Sequence, residues 1–460
     1  METPIYDSDS NSSSSSEESL TTLKQMLDGS RMDDVVYDQM NIDVVETCVV
    51  RIPMILSSTL ISNKGHHGGS TIGRRYIHRD RKERHDLIVN DYFNGANSKY
   101  TPEKFRRRFR MDIELFQRIL GAIENHDDYF TQKVDAVGKP GLSPLQKILA
   151  SMRMLAYGCA ADILDEYVQI GESTTIESLK RFCDAIIDIF EKQYLRKPDK
   201  DDVARLLKEG EDRGFPGMLG SIDCMHWHWK NCPTAWHGTH TNGFKRVPTL
   251  ILEIVASKNL WIWHAFFGMA GTNNDVTVLD RSPLFDDLVN DKAPTCSYVV
   301  NGHSYNMAYY LSDGIYPQYA TLIQTISNLS SLKEKLFARH QESVRKDVER
   351  AFGVLQSRWH IVKGPGRMWN PNDLGKIMKA CIILHNMVVE SEISQGLDPQ
   401  SWQPEGDDTS DDVIPEHDFA FLFSKMNTRM KEIQNKRVHR ELKNDLINHL
   451  WELHGGQQVD

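Results

Sequence analysis

The sequence predicts an α/β domain with a mixed β-sheet, preceded by an all-helical domain that resembles a helix-turn-helix. Apolar residues recur every three or four positions from residue 101 to 212, which is typical of helices. Short β-rich runs with Gly and Asn turns follow from residue 213, and a long amphipathic helix comes after them. At about 150 residues per domain, the chain of 460 residues has room for about three domains. Its 40% hydrophobic content excludes a wholly disordered chain.

Residues 1–63 form an acidic, Ser-rich segment that we predict to be disordered. Residues 1–50 hold 11 acidic and 2 basic residues, whereas residues 51–110 hold 14 basic and 5 acidic residues. Positive charge is therefore concentrated in a basic arm, residues 64–100, although the whole chain has a net charge of −10. Such an arm binds DNA phosphates or nuclear import receptors, or it is a solvated linker. Its candidate DNA contacts are Arg74, Arg75, Arg79 and Arg81.

Residues 101–212 are predicted to form the helical domain. Pro102 suits the first turn of its first helix. Helical stretches over 145–157 and 163–170 then precede a capped helix that starts near residue 173. In a helix-turn-helix this last helix would contact DNA, but it carries acidic residues beside its basic ones. A purely structural helical domain is therefore the alternative interpretation.

Residues 213–390 are predicted to form the α/β domain. Asn301-Gly302 is a hairpin signal. A capped helix follows the third strand, and the long amphipathic helix covers Leu332–Arg358. The predicted strands are Met218–Trp229, Leu250–Ala256, Trp261–Gly268, Ser297–Val300, Tyr305–Leu311 and Thr321–Ile326.

Residues 391–460 are predicted to form an acidic linker and a C-terminal amphipathic helix. This segment has 14 acidic and 7 basic residues. The helix carries Leu442, Leu446, Leu450 and Leu453 at helical spacing. We expect this apolar stripe to dock on the body of the protein, with docking on a partner as the alternative. The stripe is also a candidate nuclear export signal, which would divide the protein between nucleus and cytoplasm.

The cysteines and the apolar segments predict the cellular compartment of the protein. The seven cysteines are odd in number and irregularly spaced, and the N-terminus lacks the basic-then-apolar profile of a secretion signal. These observations predict a reducing, intracellular compartment. The longest apolar region, residues 250–271, is interrupted by charged and polar residues, so we expect no membrane span.

Three acidic residues occupy positions that apolar patterning does not favour. Asp223 interrupts a strand with apolar flanks, Asp313 directly follows a strand, and Glu349 lies at the edge of the apolar face of the long helix. A lone buried carboxylate costs several kcal/mol unless something positive meets it. Three converging acids could hold two Mg²⁺ or Mn²⁺ ions about 3.5–4 Å apart. Such a site would cleave phosphodiesters and transfer DNA strands.

Each of these acids also has a simpler explanation. Asp223 could cap a turn, Asp313 could be an ordinary turn residue, and Glu349 could pair with Arg345 one helical turn earlier. For any one of these acids the simpler explanation is better than a metal site. For the three acids together, a shared metal site explains the pattern better.

Other polar residues near these acids are expected to be structural. Asp275 is predicted to begin a helix, and Asp347 is predicted to point to solvent. A Cys/His group invites a zinc interpretation, but its spacing differs from that of known zinc sites. We therefore expect core packing for the first cysteine and DNA contacts for the histidines. The members of this group are Cys224, His226, His228, Cys232, His237 and His240.

Basic and aromatic residues alternate after the first strand. This pattern suits DNA binding, because aromatic rings stack on bases and basic side chains contact phosphates. Trp227 and Trp229 are expected to be divided between the core and DNA. The candidate phosphate contacts are Lys230, Lys245 and Arg246, with a second candidate surface at Lys363 and Arg367.

Five long segments, in order, carry a family resemblance. They are GMLGSIDCMHWHWKNCPTAW, LWIWHAFFGMAGTNNDVTVLDRSPLF, VNGHSYNMAYYLSDGIYP, RKDVERAFGVLQSRW and ACIILHNMVVE. They closely resemble the PIF/Harbinger transposases, and in particular the plant Pong-like branch. The resemblance covers roughly residues 90–390 with several specific motifs.

The resemblance implies a Harbinger-type transposase or transposase-derived nuclease. Its RNase H-like domain would carry a DDE triad of Asp223, Asp313 and Glu349 with two Mg²⁺ or Mn²⁺ ions. The resemblance also implies a nuclear protein that cuts double-stranded DNA, at transposon ends and targets, together with a Myb-like DNA-binding partner protein. A second copy of the chain is another candidate partner. In this branch an acid is common where His228 stands and Lys where Gln324 stands, which bears on DNA contacts more than on the triad. The alternative is a domesticated, catalytically silent protein that binds chromatin or a partner.

Overall fold

The computed structural model describes residues 77–290, 294, 296–327, 329–401 and 429–454. The described residues from His78 onward form one compact unit. The predicted disordered segment, residues 1–63, lies outside the described residues, as do Arg74 and Arg75 of the basic arm. Those predictions therefore stay predictions.

Helices fill the N-terminal part of the described chain. Several of them begin with well-formed caps: for example, Asp80 Oδ1 accepts a hydrogen bond from the N–H of Glu83 at 3.1 Å, and Ser143 forms a reciprocal capping box with Gln146. The bounds are α1 Arg81–Tyr92, α2 Pro102–Phe109, α3 Ile113–His126, α4 Pro144–Tyr157, α5 Ile163–Val168, α6 Glu172–Tyr194 and α7 Lys200–Asp212.

The helical region starts earlier than the predicted boundary at residue 101. Helix α1 lies within residues 64–100, which the sequence analysis treats as a basic arm. Ile88 and Tyr92, one helical turn apart, are buried in the helical core. The dense charges of α1 hide this short apolar stripe in the sequence.

A five-stranded mixed sheet follows in the described part of the chain, in the order β3-β2-β1-β6-β7. Strand β1 pairs antiparallel with β2, and β2 antiparallel with β3. On the other side β6 runs parallel to both β1 and β7. The bounds are β1 Met218–His228, β2 Thr249–Ala256, β3 Ile262–Ala270, β4 Tyr298–Val300, β5 His303–Tyr305, β6 Tyr309–Ser312 and β7 Leu322–Gln324.

The predicted strand Tyr305–Leu311 is divided in two. Strand β5 pairs with β4 in a separate hairpin, whereas β6 joins the main sheet beside β1. The hairpin predicted at Asn301-Gly302 is confirmed, and both residues have the positive φ that such a turn requires, 49° and 79°. The division reflects two different pairing partners, which strand periodicity alone does not reveal.

Helices cover both faces of the sheet. The long helix matches its predicted bounds, and Val348 and Phe352 on it share a core with Met225 and Ile254 of the sheet. On the other face, Leu279 packs with strand residues of a second cluster. The bounds are α8 His237–His240, α9 Asp275–Arg281, α10 Asp286–Val289, α11 Leu332–Arg358, α12 His360–Lys363, α13 Pro371–Ser394, α14 Arg429–Ile433 and α15 Lys436–His454.

The C-terminal helix α15 docks on the body of the protein. Leu442, Leu446 and Leu450 are buried in a cluster with Phe215 and Phe337. Helix α15 packs along α11 and contacts β4. The prediction of self-docking is therefore confirmed.

The three helices predicted to resemble a helix-turn-helix are present as α4, α5 and α6. Helix α6 packs against α4 on one side and α13 on another. Its exposed positions include Glu172, Glu177, Arg181 and Asp188, and Arg181 is paired with Glu177. This acidic exposed face favours the structural interpretation of α6 over contact with DNA.

The described residues contain neither a membrane-spanning helix nor a disulfide. Within the described residues, no helix combines the length and apolarity that a membrane span needs. The cysteines of the described part, Cys159, Cys183, Cys224, Cys232, Cys296 and Cys381, are all free thiols.

Candidate active site

Asp223 and Asp313 belong to neighbouring parallel strands. Asp223 lies in β1, and Asp313 directly follows β6. The pairing aligns Ser221 with Leu311, and the same register continued by two residues places Asp313 beside Asp223. Neighbouring strands are about 4.8 Å apart. The sheet therefore brings together two of the three predicted metal ligands.

Glu349 is linked to Asp223 through a third side chain. Arg345, one turn before Glu349 on α11, places Nη2 at 2.7 Å from Glu349 Oε1. The same guanidinium places Nη1 at 3.4 Å from Asp223 Oδ2. The pairing of Glu349 with Arg345, the simpler explanation for this acid, is thus present, and it also extends to Asp223.

Burial controls the protonation of Asp223. Only 20% of its side chain is exposed. Burial raises the pKa of Asp223 to about 7, although Arg345 and the backbone N–H of Cys224 oppose the shift. The negative charges of Asp275 and Asp313 raise this pKa further. A carboxyl with a near-neutral pKa and acidic neighbours is typical of functional sites.

A second group of acids surrounds Cys224 on β1, and the sequence analysis missed it. Asp275 begins α9 as predicted, but burial also raises its pKa to about 6, with further contributions from Asp313 and Glu253. Glu253 is fully buried, lies opposite Cys224 across the strands, and has His264 Nε2 at 3.3 Å from its Oε1. The available signal was a carboxylate in the otherwise apolar strand TLILEIVA.

The chemistry of the predicted triad fits divalent metal ions. Asp223, Asp313 and Glu349 offer only carboxylate oxygens, which Mg²⁺ and Mn²⁺ prefer. In the part of the chain that the structure describes, however, no group of three or more His, Cys, Asp or Glu side chains is arranged to hold a metal ion. Asp223 and Glu349 are instead drawn together by the guanidinium of Arg345.

The Cys/His group does not form a zinc site among the described residues. His226 Nδ1 lies 2.9 Å from Thr249 Oγ1, and His237 Nε2 lies 3.1 Å from the carbonyl oxygen of Cys232. Burial lowers the pKa of His226 to about 4. His226 is therefore neutral at pH 7, and the expectation that the histidines contact DNA stays a prediction.

The two predicted DNA surfaces form a single surface. Lys230 N–H donates to Gly366 O at 2.9 Å, and Gly366 N–H donates to His228 O at 2.8 Å, so two distant loops run side by side. The loop before β2 joins them, because Trp229 N–H donates to Pro248 O at 2.8 Å. We call this surface the basic rim. Its exposed members are Lys230, Lys245, Arg246, Lys363 and Arg367.

Trp227 and Trp229 are both buried, although one was expected to contact DNA. Their exposed fractions are 3% and 0%. The indole N–H of Trp227 donates to Gly364 O at 2.7 Å, and that of Trp229 donates to Met368 O at 2.9 Å. Both rings thus anchor residues 364–368 over β1, a long-range contact that the local pattern cannot show. The exposed aromatic residues of these loops are instead Trp236, Phe244 and Trp369.

In the described end of the basic arm, one arginine forms an ion pair within the folded protein. Arg79 Nε donates to Asp165 Oδ1 of α5 at 2.6 Å. Arg81 is partly exposed at the start of α1. A contact between Arg79 and DNA stays a prediction.

The prediction that Asp347 points to solvent is wrong. Its exposed fraction is 2%, and it pairs with Arg213 and Arg350. Arg213 follows α7 and reaches the side of α11 that helical periodicity assigns to solvent. The error arises because Arg213, which is distant in the sequence, pairs with Asp347 on that side.

Comparisons with known proteins show which proteins this chain is similar to. A family model described as plant transposon protein matches residues 192–395, which include the whole sheet and the three acids. Another, described as a domain of unknown function, matches residues 85–124. The curated Protein ALP1-like from Arabidopsis thaliana is 24% identical over 315 residues, which cover 65% of this chain and 73% of that relative. No solved structure matches the chain. The matches confirm the resemblance to the PIF/Harbinger transposases.

Proposed function

We propose that this chain is a Harbinger-type transposase, or a nuclease derived from one, that cleaves DNA phosphodiesters and transfers strands at Asp223, Asp313 and Glu349. One observation carries the proposal: Asp223 lies on β1 and Asp313 directly follows the adjacent parallel strand β6, in a chain that matches plant transposon proteins over these residues. Glu349 is linked to Asp223 through Arg345. The sheet, with three antiparallel strands continued by two parallel ones, supports an RNase H-like domain.

In this proposal the three carboxylates hold two Mg²⁺ or Mn²⁺ ions. Such ions activate a water or a 3′-hydroxyl and stabilise the leaving oxygen of a phosphodiester. The basic rim binds and orients the DNA through its phosphates. Between Asp223 and His228, where the rim begins, β1 rises about 17 Å, which corresponds to about five base pairs of duplex DNA. One duplex can therefore contact the acids and the rim together.

The proposal includes partners and a location. The net charge of −10 means that bulk charge alone does not attract this chain to DNA. A Myb-like DNA-binding protein would supply further affinity for transposon ends and target DNA. A second copy of the chain would bring two ends together. We place the protein in the nucleus, and the export role of α15 stays a prediction.

The test is a cleavage assay with full-length protein, alone and with a Myb-like partner. In this proposal terminal inverted repeats flank the gene for this chain, and the substrate is a plasmid that carries them. We expect nicking at the repeat ends with Mg²⁺ or Mn²⁺ and none with EDTA. Glu349→Gln should abolish nicking, whereas Glu342→Gln, an exposed position on the same helix, should not. Nicking that persists in EDTA contradicts the proposal.

A second candidate function is a domesticated protein that binds DNA or chromatin without cutting it. The observation that favours it is the guanidinium of Arg345 between Asp223 and Glu349. This candidate predicts DNA binding without metal-dependent cleavage, and a genomic locus without flanking inverted repeats. The cleavage assay therefore separates the two functions.

The pKa of Asp223 predicts how the stability of the metal-free protein depends on pH. Burial raises this pKa from 3.8 to about 7, so between these values the folded protein retains a proton that the unfolded chain releases. The contribution of Asp223 to the free energy of unfolding should therefore decrease as the pH rises from about 4 to 7, and level off above 7. In EDTA, the melting temperature of Asp223→Asn should fall less between about pH 5 and 7 than that of wild type. Asp286→Asn, at an exposed site, should keep the wild-type slope, and equal slopes for all three proteins would count against the assignment.

A further inference from the structure

We propose that Arg345 is a resident cation of the acidic site, which holds Asp223 and Glu349 together in the metal-free protein and competes with divalent ions for them. Arg345 bridges the two acids, with Nη2 at 2.7 Å from Glu349 Oε1 and Nη1 at 3.4 Å from Asp223 Oδ2. The inference rests on the proposed function, because it concerns how metal ions enter that site. It makes Arg345 a positioning residue that regulates metal binding.

The need for a cation follows from the charges around Asp223. The electrostatic influence of Asp275 and Asp313 reaches Asp223, so carboxylates from β1, β6 and α9 face one small region. Only 17% of the Arg345 side chain and 20% of the Asp223 side chain are exposed. Water therefore screens their charges poorly, and an uncompensated carboxylate there is costly. Arg345 supplies the compensating charge.

The choice of arginine also has a chemical reason. A guanidinium carries five N–H donors in a rigid plane, so it can donate to two carboxylates at once. Because Arg345 and Glu349 are four residues apart on α11, their pairing is local to one helix turn. The contact with Asp223 spans two elements and is the longer of the two. The structure therefore has one short ion pair within α11 and one longer ion pair between α11 and β1.

Arg345 and a metal ion compete for the same oxygens. A divalent ion that binds Asp223 and Glu349 must displace the guanidinium from at least one of them. The affinity measured for the ion is reduced by the free energy of the contacts that break. Removal of the guanidinium should therefore tighten metal binding while it weakens the metal-free fold. If Arg345 only supported the fold, its removal would instead lower both the affinity for metal and the stability of the metal-free protein.

The experiment compares full-length wild type with Arg345→Gln after exhaustive dialysis against EDTA. Mn²⁺ binding is measured by the electron paramagnetic resonance signal of the free ion, and melting temperature is measured in EDTA and in Mn²⁺. We expect Arg345→Gln to melt at a lower temperature in EDTA and to bind Mn²⁺ about tenfold more tightly, equivalent to about 1.4 kcal/mol. Arg345→Lys, which keeps the charge, should bind Mn²⁺ like wild type.

Arg350→Gln is the matched control. It removes one positive charge from the same helix, but Arg350 pairs with Asp347 rather than with the three acids. Its Mn²⁺ affinity should therefore equal that of wild type. If wild type binds Mn²⁺ and Arg345→Gln binds it no more tightly, or if Arg350→Gln tightens binding equally, the inference is overturned while the proposed function stands. If neither wild type nor Arg345→Gln binds Mn²⁺, the proposed metal site itself fails.

Discussion

Asp313→Asn is expected to reduce DNA cleavage by about 10³-fold or more. Metal ions at such a site contribute several kcal/mol to stabilising the transition state, and about 4 kcal/mol corresponds to about 10³-fold in rate. An amide oxygen is a weaker and uncharged ligand, so the metal affinity and the charge balance of the site both change. The measurement is single-turnover nicking of an inverted-repeat substrate in Mg²⁺ or Mn²⁺.

The substitution should leave the fold intact. Asp313 accepts a hydrogen bond from the N–H of Gly314, and the side-chain oxygen of Asn can accept the same bond. Circular dichroism and melting temperature should therefore match those of wild type. Asp286→Asn, an exposed substitution of the same chemistry, serves as the control for activity and should cleave normally. Undiminished nicking by Asp313→Asn would remove Asp313 from the site.

Glu392→Gln is expected to lower the free energy of unfolding by about 3–5 kcal/mol. Glu392 lies on α13 with 3% of its surface exposed, and it pairs with the fully buried Arg358 at the end of α11. Arg106 of α2 lies 2.8 Å from its other oxygen. Burial lowers the pKa of Arg358, and the charge of Glu392 opposes this shift. Without the carboxylate, Arg358 would be a buried charge that lacks this compensation.

Urea unfolding followed by circular dichroism measures this effect. Glu191→Gln is the matched control, because Glu191 pairs with Lys379 between α6 and α13 but both side chains are about 40% exposed. Exposed pairs contribute about 0–1 kcal/mol, so this control should remain close to wild type. Equal, small losses for both substitutions would contradict the role assigned to Glu392 in joining the helical region to the α/β domain.

Patterning predicted much of the fold. The bounds of α11 and the start of α2 follow from caps and helical spacing, and both are confirmed. The strands of the main sheet were located to within a few residues, because alternation and turn residues report on local backbone conformation. Patterning failed at β5 and β6, where one apolar run serves two sheets, and at α1, where charges mask a short apolar stripe.

The candidate site was predicted only in part. Asp223, Asp313 and Glu349 were singled out because each interrupts an apolar pattern, and the structure places them on β1, after β6 and on α11. The involvement of Asp275 was missed, because its position at a helix start already explained it. Helix-capping signals and functional acids use the same residue types, so a sequence pattern cannot separate the two roles.

By itself, the sequence determined most of the helices and strands, which acids disturb the apolar pattern, and to which transposase family the motifs are related. Only the tertiary structure decided that Arg345 joins Asp223 to Glu349, that Asp347 and the two tryptophans after Asp223 are buried, and that two distant basic loops form one rim. The physical reason is the distance along the sequence over which each property is decided. Periodicity depends on the next few residues along the backbone, whereas burial and ion pairing depend on which distant elements pack together.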